Sequence, residues 1–192
     1  YARMSDHILA EVRMGKRVCA AFYGHPGVFV TPSHDAIQRA RAEGFAATML
    51  PGISAEDCLF ADLGVDPGAC GCQSYEARDF FVHARQIDTS AALILWQIAV
   101  VGDGEFANVA SRPGALRALS LVLRDHYPDK HRVAIYVAAT VPTEQSGIQW
   151  TDLELLEFCR VDQASTLYVP PARAPQISSA RLQLLQLVAA SQ

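Results

Sequence analysis

The chain has 192 residues and a formal net charge of −4, with 51% hydrophobic and 19% charged residues. That balance excludes a disordered tail, and the lysines and arginines are scattered (Arg13, Lys16, Arg17, Arg39, Arg41, Arg124, Lys130, Arg132), leaving no basic stripe for nucleic acid. The longest apolar stretch, Ala91 to Val101, is interrupted by Gln97 and is far shorter than the roughly 20 residues a membrane helix needs, so no membrane span is expected.

Five cysteines (Cys19, Cys58, Cys70, Cys72, Cys159) form an odd set with no secretory signal ahead of them, which predicts a reduced, cytoplasmic setting. The one close pair, Cys70-Gly71-Cys72, has neither a second pair nor a histidine at ligand spacing, so no metal site is expected.

In chain order, Tyr1 runs directly into Met4, Ile8, Leu9 and Val12, an apolar stripe at helical spacing that ends at Gly15; this abrupt start reads as an N-terminal truncation. A buried strand is predicted over Val18 to Tyr23, then the loop Gly24-His25-Pro26-Gly27 and a helix capped by Ser33 that runs to about Glu43. A second strand, Phe45 to Leu50, leads into Pro51-Gly52-Ile53-Ser54 and a third helix. Repeated β-loop-α units predict a parallel sheet. The stretch from Asp66 to Ser90 reads as an irregular linker, with the domain boundary between residues 86 and 87. Beyond it come strand Ala91 to Val100, helix Arg117 to His126, strand Val133 to Ala139, a turn with Pro142 and Gly147, helix Leu153 to Cys159, strand Thr166 to Val169, and a Leu-rich helical tail from Ser178 to Ala189.

In open α/β sheets ligands sit outside the carboxyl ends of the strands, so the loops after the strands are where chemistry is expected. Tyr23-Gly24-His25-Pro26-Gly27-Val28-Phe29 lets backbone approach a ligand closely. Pro51-Gly52-Ile53-Ser54-Ala55-Glu56-Asp57 places Ser54 as N-cap with Asp57 three residues on, a relative of the capping box, at a helix start that presents free amides. Neither loop has the spacing of a dinucleotide or phosphate binder, Val101-Gly102-Asp103-Gly104 reads as a turn, and no nucleophilic triad can be assembled from the six histidines.

Together these two loops resemble the tetrapyrrole methylase family of S-adenosylmethionine-dependent methyltransferases. The resemblance continues through Gly71 to Ala77, Leu93 to Gln97, Tyr136 to Ala139 and Ser165 to Pro171. It implies an α/β, two-domain fold: residues 1–86 with a parallel sheet whose first strand is missing from this chain, and residues 87–192 with a mixed sheet, the cofactor lying in the cleft between them. It also implies a homodimer and cofactor contacts at Tyr23, His25, Val28, Ser54, Ala55, Gln97, Ala138, Ser165 and Thr166. His25 stands where the family commonly has an acidic residue. That histidine, the run Ser54 to Leu63, and Tyr75-Glu76-Ala77 are more similar to the borosin-type branch, which methylates backbone amide nitrogens of a peptide. In that branch a catalytic tyrosine falls at the position of Tyr1, 22 residues before Tyr23. A corrin or porphyrin C-methyltransferase, a small-molecule acceptor, and a cofactor-binding module without turnover stay open as alternatives.

Overall fold

The computed structural model describes residues 2–101, 114–141 and 143–189. The chain divides into two compact units, the first ending at Val65 and the second beginning at Asp66.

The first unit holds three helices, α1 (Ala2–Arg13), α2 (Thr31–Ala42) and α3 (Ala55–Leu63). The pairing of α1 with α2 uses small residues: Leu9 is fully buried, Ala36 and Ala40 are nearly so, and the buried Ser5 hydroxyl donates to the Pro32 carbonyl at 3.1 Å. At the rim Arg39 reaches Asp6 and Asp35, and Arg13 reaches Glu43. Exposed pairs of this kind are screened by solvent and contribute little, so the buried apolar stripe decides the packing.

The expected parallel sheet is not formed among the described residues of this unit. Residues 16–22 and 45–54 run extended without ladder pairing. The second segment keeps a strand's alternation, with Phe45, Ala47 and Met49 half-buried and Ala46, Thr48 and Leu50 exposed. Its Ala47 carbonyl, however, accepts two hydrogen bonds from the Arg41 guanidinium, at 2.9 and 2.7 Å. Apolar periodicity places a face; it does not supply a neighbouring strand. A second correction concerns Ser33, which lies inside α2 behind Pro32 and not at its cap. Its hydroxyl donates backwards, to the Val30 carbonyl at 2.8 Å and to the Pro26 carbonyl.

The second unit begins with the short helix α4 (Pro67–Cys70), strand β1 (Cys72–Glu76) and helix α5 (Ala77–Val82), and continues with β2 (Ala92–Trp96), α6 (Ala115–Arg124), β3 (Arg132–Val137), β4 (Gly147–Asp152), β5 (Thr166–Val169) and α7 (Ser179–Ala189). The five strands form one mixed sheet in the order β1-β2-β5-β3-β4, with only the β1–β2 pair parallel.

The presumed linker over 66–90 therefore contains an edge strand, in register from Cys72 opposite Ala92 to Glu76 opposite Trp96. The compact units divide between Val65 and Asp66. The strand is polar because an edge needs only half cover, and its side chains are hydrogen-bonded. Gln73 donates to the Gln86 carbonyl and accepts the Asp88 N–H, while Trp96 Nε1 donates to Ser74 Oγ at 2.8 Å. Strand β4 occupies the other edge where only a turn was expected, and residues 153–158 form a 3₁₀ helix rather than an α-helix.

One face of the sheet carries Leu93, Leu95, Val133, Ile135, Leu167 and Val169, all buried against Leu116, Leu119 and Leu123 of α6, Phe80 of α5, and Leu153 and Leu156. Each such side chain contributes roughly 1.5–3 kcal/mol of burial, which is why the Ala91–Trp96 run is the least ambiguous strand in the sequence. No described helix is long and apolar enough to cross a membrane.

Candidate functional site

In the first unit the two glycine-bearing loops are in direct backbone contact. A Cβ added at Gly52 would lie 3.0 Å from the Gly24 carbonyl oxygen, and one at Gly27 would lie 2.6 Å from Met49 Sδ. A side chain at Gly52 would press on the Gly24 backbone, whereas one at Gly27 would meet the flexible end of Met49, so close approach favours glycine most at Gly52. Tyr23 is 71% exposed, whereas His25 and Val28 are half-buried. The loop is fastened to itself: the Gly27 N–H donates to His25 Nδ1 at 2.9 Å, and the Val28 N–H donates to the His25 carbonyl at 3.2 Å. Phe29, directly after Val28, has a φ of +54°, a left-handed conformation that is unusual for a bulky residue.

The second loop ends in a complete capping box. The Ser54 N–H and hydroxyl both donate to Asp57 Oδ2 at 2.7 Å, and the Asp57 N–H donates to Ser54 Oγ at 3.3 Å. The hydroxyl of Ser54, the backbone N–H of Ser54 and the nearby charge of His25 together hold the Asp57 carboxyl below the usual aspartate range. Ala55, next along, sits at the first helical position with its N–H taken by no cap. The box consumes its own donors, so the Ala55 amide takes no part in it.

A depressed carboxyl pKa stabilises the fold above the unfolded-state value of roughly 3.9, and the contribution is lost as pH falls through the lower folded value. Ser54→Ala is therefore expected to cost about 1 kcal/mol near pH 7 and less near pH 2, because protonating Asp57 removes the carboxylate's share of the box while the cap on the Asp57 N–H remains. Urea unfolding at the two pH values checks this; an equal deficit at both would remove the carboxylate from the account.

In the second unit, strand register gathers the remaining candidates at one end of the sheet. Leu95 pairs with Leu167, and the Ile98 N–H donates to the Ser165 carbonyl at 3.2 Å, which sets Gln97 beside Ser165. Thr166 pairs with Tyr136, two residues before Ala138. Gln97 is exposed within an otherwise buried run and has a φ of +58°. Such a backbone conformation costs on the order of 1–3 kcal/mol and is concentrated at functional positions. The Ser165 hydroxyl is already engaged, donating to Asp162 Oδ1 at 2.9 Å and accepting the Asp162 N–H at 2.8 Å, so it shapes the turn before β5. The expected catalytic Tyr1 and the 102–104 turn lie outside the described residues.

A sequence profile described as Tetrapyrrole (Corrin/Porphyrin) Methylases matches residues 1–152. The chain belongs to this family. Its tetrapyrrole methylase fold is also seen in uroporphyrin-III-C-methyltransferase from Thermus thermophilus, with a TM-score of 0.64 at 17% identity over 88% of this chain and 70% of that one. A structure of the Thermus thermophilus enzyme complexed with S-adenosylhomocysteine aligns with a TM-score of 0.60 at 15% identity, over 86% of this chain and 71% of that one. More similar in sequence are fungal proteins. The methyltransferase/ribosomally synthesized cyclic peptide gymnopeptides precursor of Gymnopus fusipes is 43% identical over 100% of this chain and 47% of its own length. The corresponding omphalotin A precursor of Omphalotus olearius is 40% identical with the same coverage. A type III borosin precursor of Anomoporia bombycina is 41% identical over 97% of this chain and 22% of its own length. The chain thus spans about half the length, or less, of these curated relatives.

Sequence reading missed three residues that hold the candidate segments: Met49 and His34 beside Gly27 in the first unit, and Asp162, which anchors Ser165, in the second. Asp162 was detectable in principle, since an aspartate three residues before a serine suits a local turn. Met49 and His34 carry no local signal. Among the described residues, no group of three or more metal-ligating side chains is present.

Proposed function

We propose that this protein is an S-adenosylmethionine-dependent methyltransferase that methylates backbone amide nitrogens of a peptide, acting as a cytoplasmic homodimer. The observation that carries the reading is identity of 40–43% across the whole chain to proteins named as methyltransferases joined to cyclic peptide precursors. The backbone cradle at Gly24 and Gly52, the uncapped Ala55 amide and the left-handed Gln97 fit a cofactor that needs close backbone approach. Tyr23, His25, Val28, Ser54 and Ala55 would contact it from the loops, and Gln97, Ala138, Ser165 and Thr166 from the strand ends. When bound, S-adenosylmethionine supplies an electrophilic methyl group.

The chain's own task is orientation and proton handling. An amide nitrogen is a poor nucleophile because its lone pair is delocalised into the carbonyl, so the N–H proton must be taken and the resulting charge stabilised. The Tyr1 hydroxyl is assigned the proton. The free state of all five cysteines supports a reducing compartment, and the exposed Leu182, Leu184, Leu185 and Leu187 of α7 support a further apolar contact in a dimer.

The test is mass spectrometry of candidate peptides incubated with the full-length protein and cofactor, with light scattering on the same sample. Additions of 14 daltons that map to backbone nitrogens on a dimeric enzyme are expected. Methylation of a uroporphyrinogen or precorrin instead would overturn the substrate class, and monomers at micromolar concentration would overturn the dimer.

A further inference from the structure

The Gly27 peptide is held on both its polar groups by imidazoles. Its N–H donates to His25 Nδ1 at 2.9 Å, and its carbonyl lies 2.9 Å from Nε2 of His34, the fourth residue of α2. The partners fix the tautomers. A backbone N–H can only donate, so His25 Nδ1 carries no proton; a carbonyl can only accept, so His34 Nε2 carries one. Ser33 adds a third tie, its hydroxyl donating to the Pro26 carbonyl. A side chain at Gly27 would meet Met49 Sδ and His25 Cε1, 2.6 and 3.2 Å from where its Cβ would be, so the peptide lies close against both. Two residues on, Phe29 is in its left-handed conformation, which persists only where its surroundings over-determine it.

We infer that His34 is a positioning residue and His25 a pH-sensitive jaw of a two-histidine clamp on Gly27, which fixes the Val28–Phe29 turn in its ligand-binding shape. The two jaws respond differently to acid. Protonating His34 adds a proton at Nδ1 and leaves its Nε2–H on the carbonyl. Protonating His25 puts an N–H at Nδ1 facing the Gly27 N–H, donor against donor, and that jaw opens. The charged and titratable groups facing His25 are Asp57 of α3, whose carboxylate lies within electrostatic reach, and His34 of α2 across the Gly27 peptide. Asp57 is committed to its capping box and stays anionic throughout the range in which histidine titrates.

The cofactor role of this clamp rests on the methyltransferase reading; its geometry does not. Two measurements separate them. Calorimetry with S-adenosylhomocysteine is expected to show affinity falling from pH 7.5 to 5.5 in proportion to the fraction of molecules that lose the competent loop. His25→Asn keeps an acceptor for the N–H two residues on, as in an Asx turn, but cannot be protonated, so its affinity is expected to be flat across this range. His34→Ala is expected to weaken binding severalfold at every pH, and His34→Gln, whose amide N–H can reach the same carbonyl, to restore it. Imidazole nitrogen NMR on the cofactor-free chain reads the tautomers directly. A proton on His25 Nδ1 at pH 7.5 overturns the clamp, as do identical pH slopes for parent and His25→Asn. Absence of binding by the parent at every pH overturns the methyltransferase reading, and the tautomers then decide the clamp alone.

Discussion

Tyr1→Phe in the full-length protein is expected to lower peptide methylation by about 10² to 10⁴-fold while leaving S-adenosylhomocysteine affinity unchanged. The ring is kept and only the ionisable hydroxyl is lost, so a fall confined to turnover identifies that hydroxyl with the amide proton. The expectation follows from the chemistry of the acceptor: an amide whose proton stays in place gains a positive charge on methyl transfer with no resonance to absorb it. Single-turnover kinetics on a peptide already shown to be a substrate would measure the effect. Unchanged rates would move the base to another residue without touching the fold or the cofactor loops.

Ala55→Trp is expected to weaken S-adenosylhomocysteine binding by at least about 100-fold, equivalent to roughly 2.7 kcal/mol. Ala55 occupies the first position of α3, directly after the capping box, and its side chain takes no part in the Ser54–Asp57 bonds. The indole instead fills the space over the uncapped amide. Circular dichroism should match the parent, which separates occlusion from unfolding. A variant that binds as tightly as the parent places the cofactor elsewhere.

What was legible in the sequence tracks how local the physics is. The Ser54 cap was readable because a serine followed three residues later by an aspartate satisfies its own donors within one turn, and the structure has that box complete. The β2 strand was readable because a fully apolar run can only be buried. Strand β1 was not, because Gln73, Ser74 and Glu76 look like loop until their partners at Gln86, Trp96 and the start of α5 are known. Strand β4 was hidden behind the turn residues before it, although Ile148 and Trp150 alternate with Gln149 and Thr151 between Gly147 and Asp152. The segments 18–23 and 45–50 are the converse case, since both read as strands and neither forms a ladder.

The candidate loops were visible through their glycines, and their mutual contact at Gly24 and Gly52 gives those glycines a steric reason. The residues that fasten the loops were invisible for the opposite reason. His34 and Met49 act across 7 and 22 positions of sequence on a single peptide unit, Gly27, and neither spacing matches a local turn or helix contact made within one element. Gln97 was placed by resemblance, and its left-handed backbone is a property no residue pattern announces.

That backbone makes residue 97 a trap for anyone engineering heat resistance into this protein. Glycine adopts the same conformation without penalty, so a stability screen would favour Gln97→Gly, and the substitution would pass every test of folding. It would also delete the one polar side chain that the sheet's most apolar strand presents at its end. With Gln97 in the proposed cofactor role, stability and turnover place opposite demands on this position.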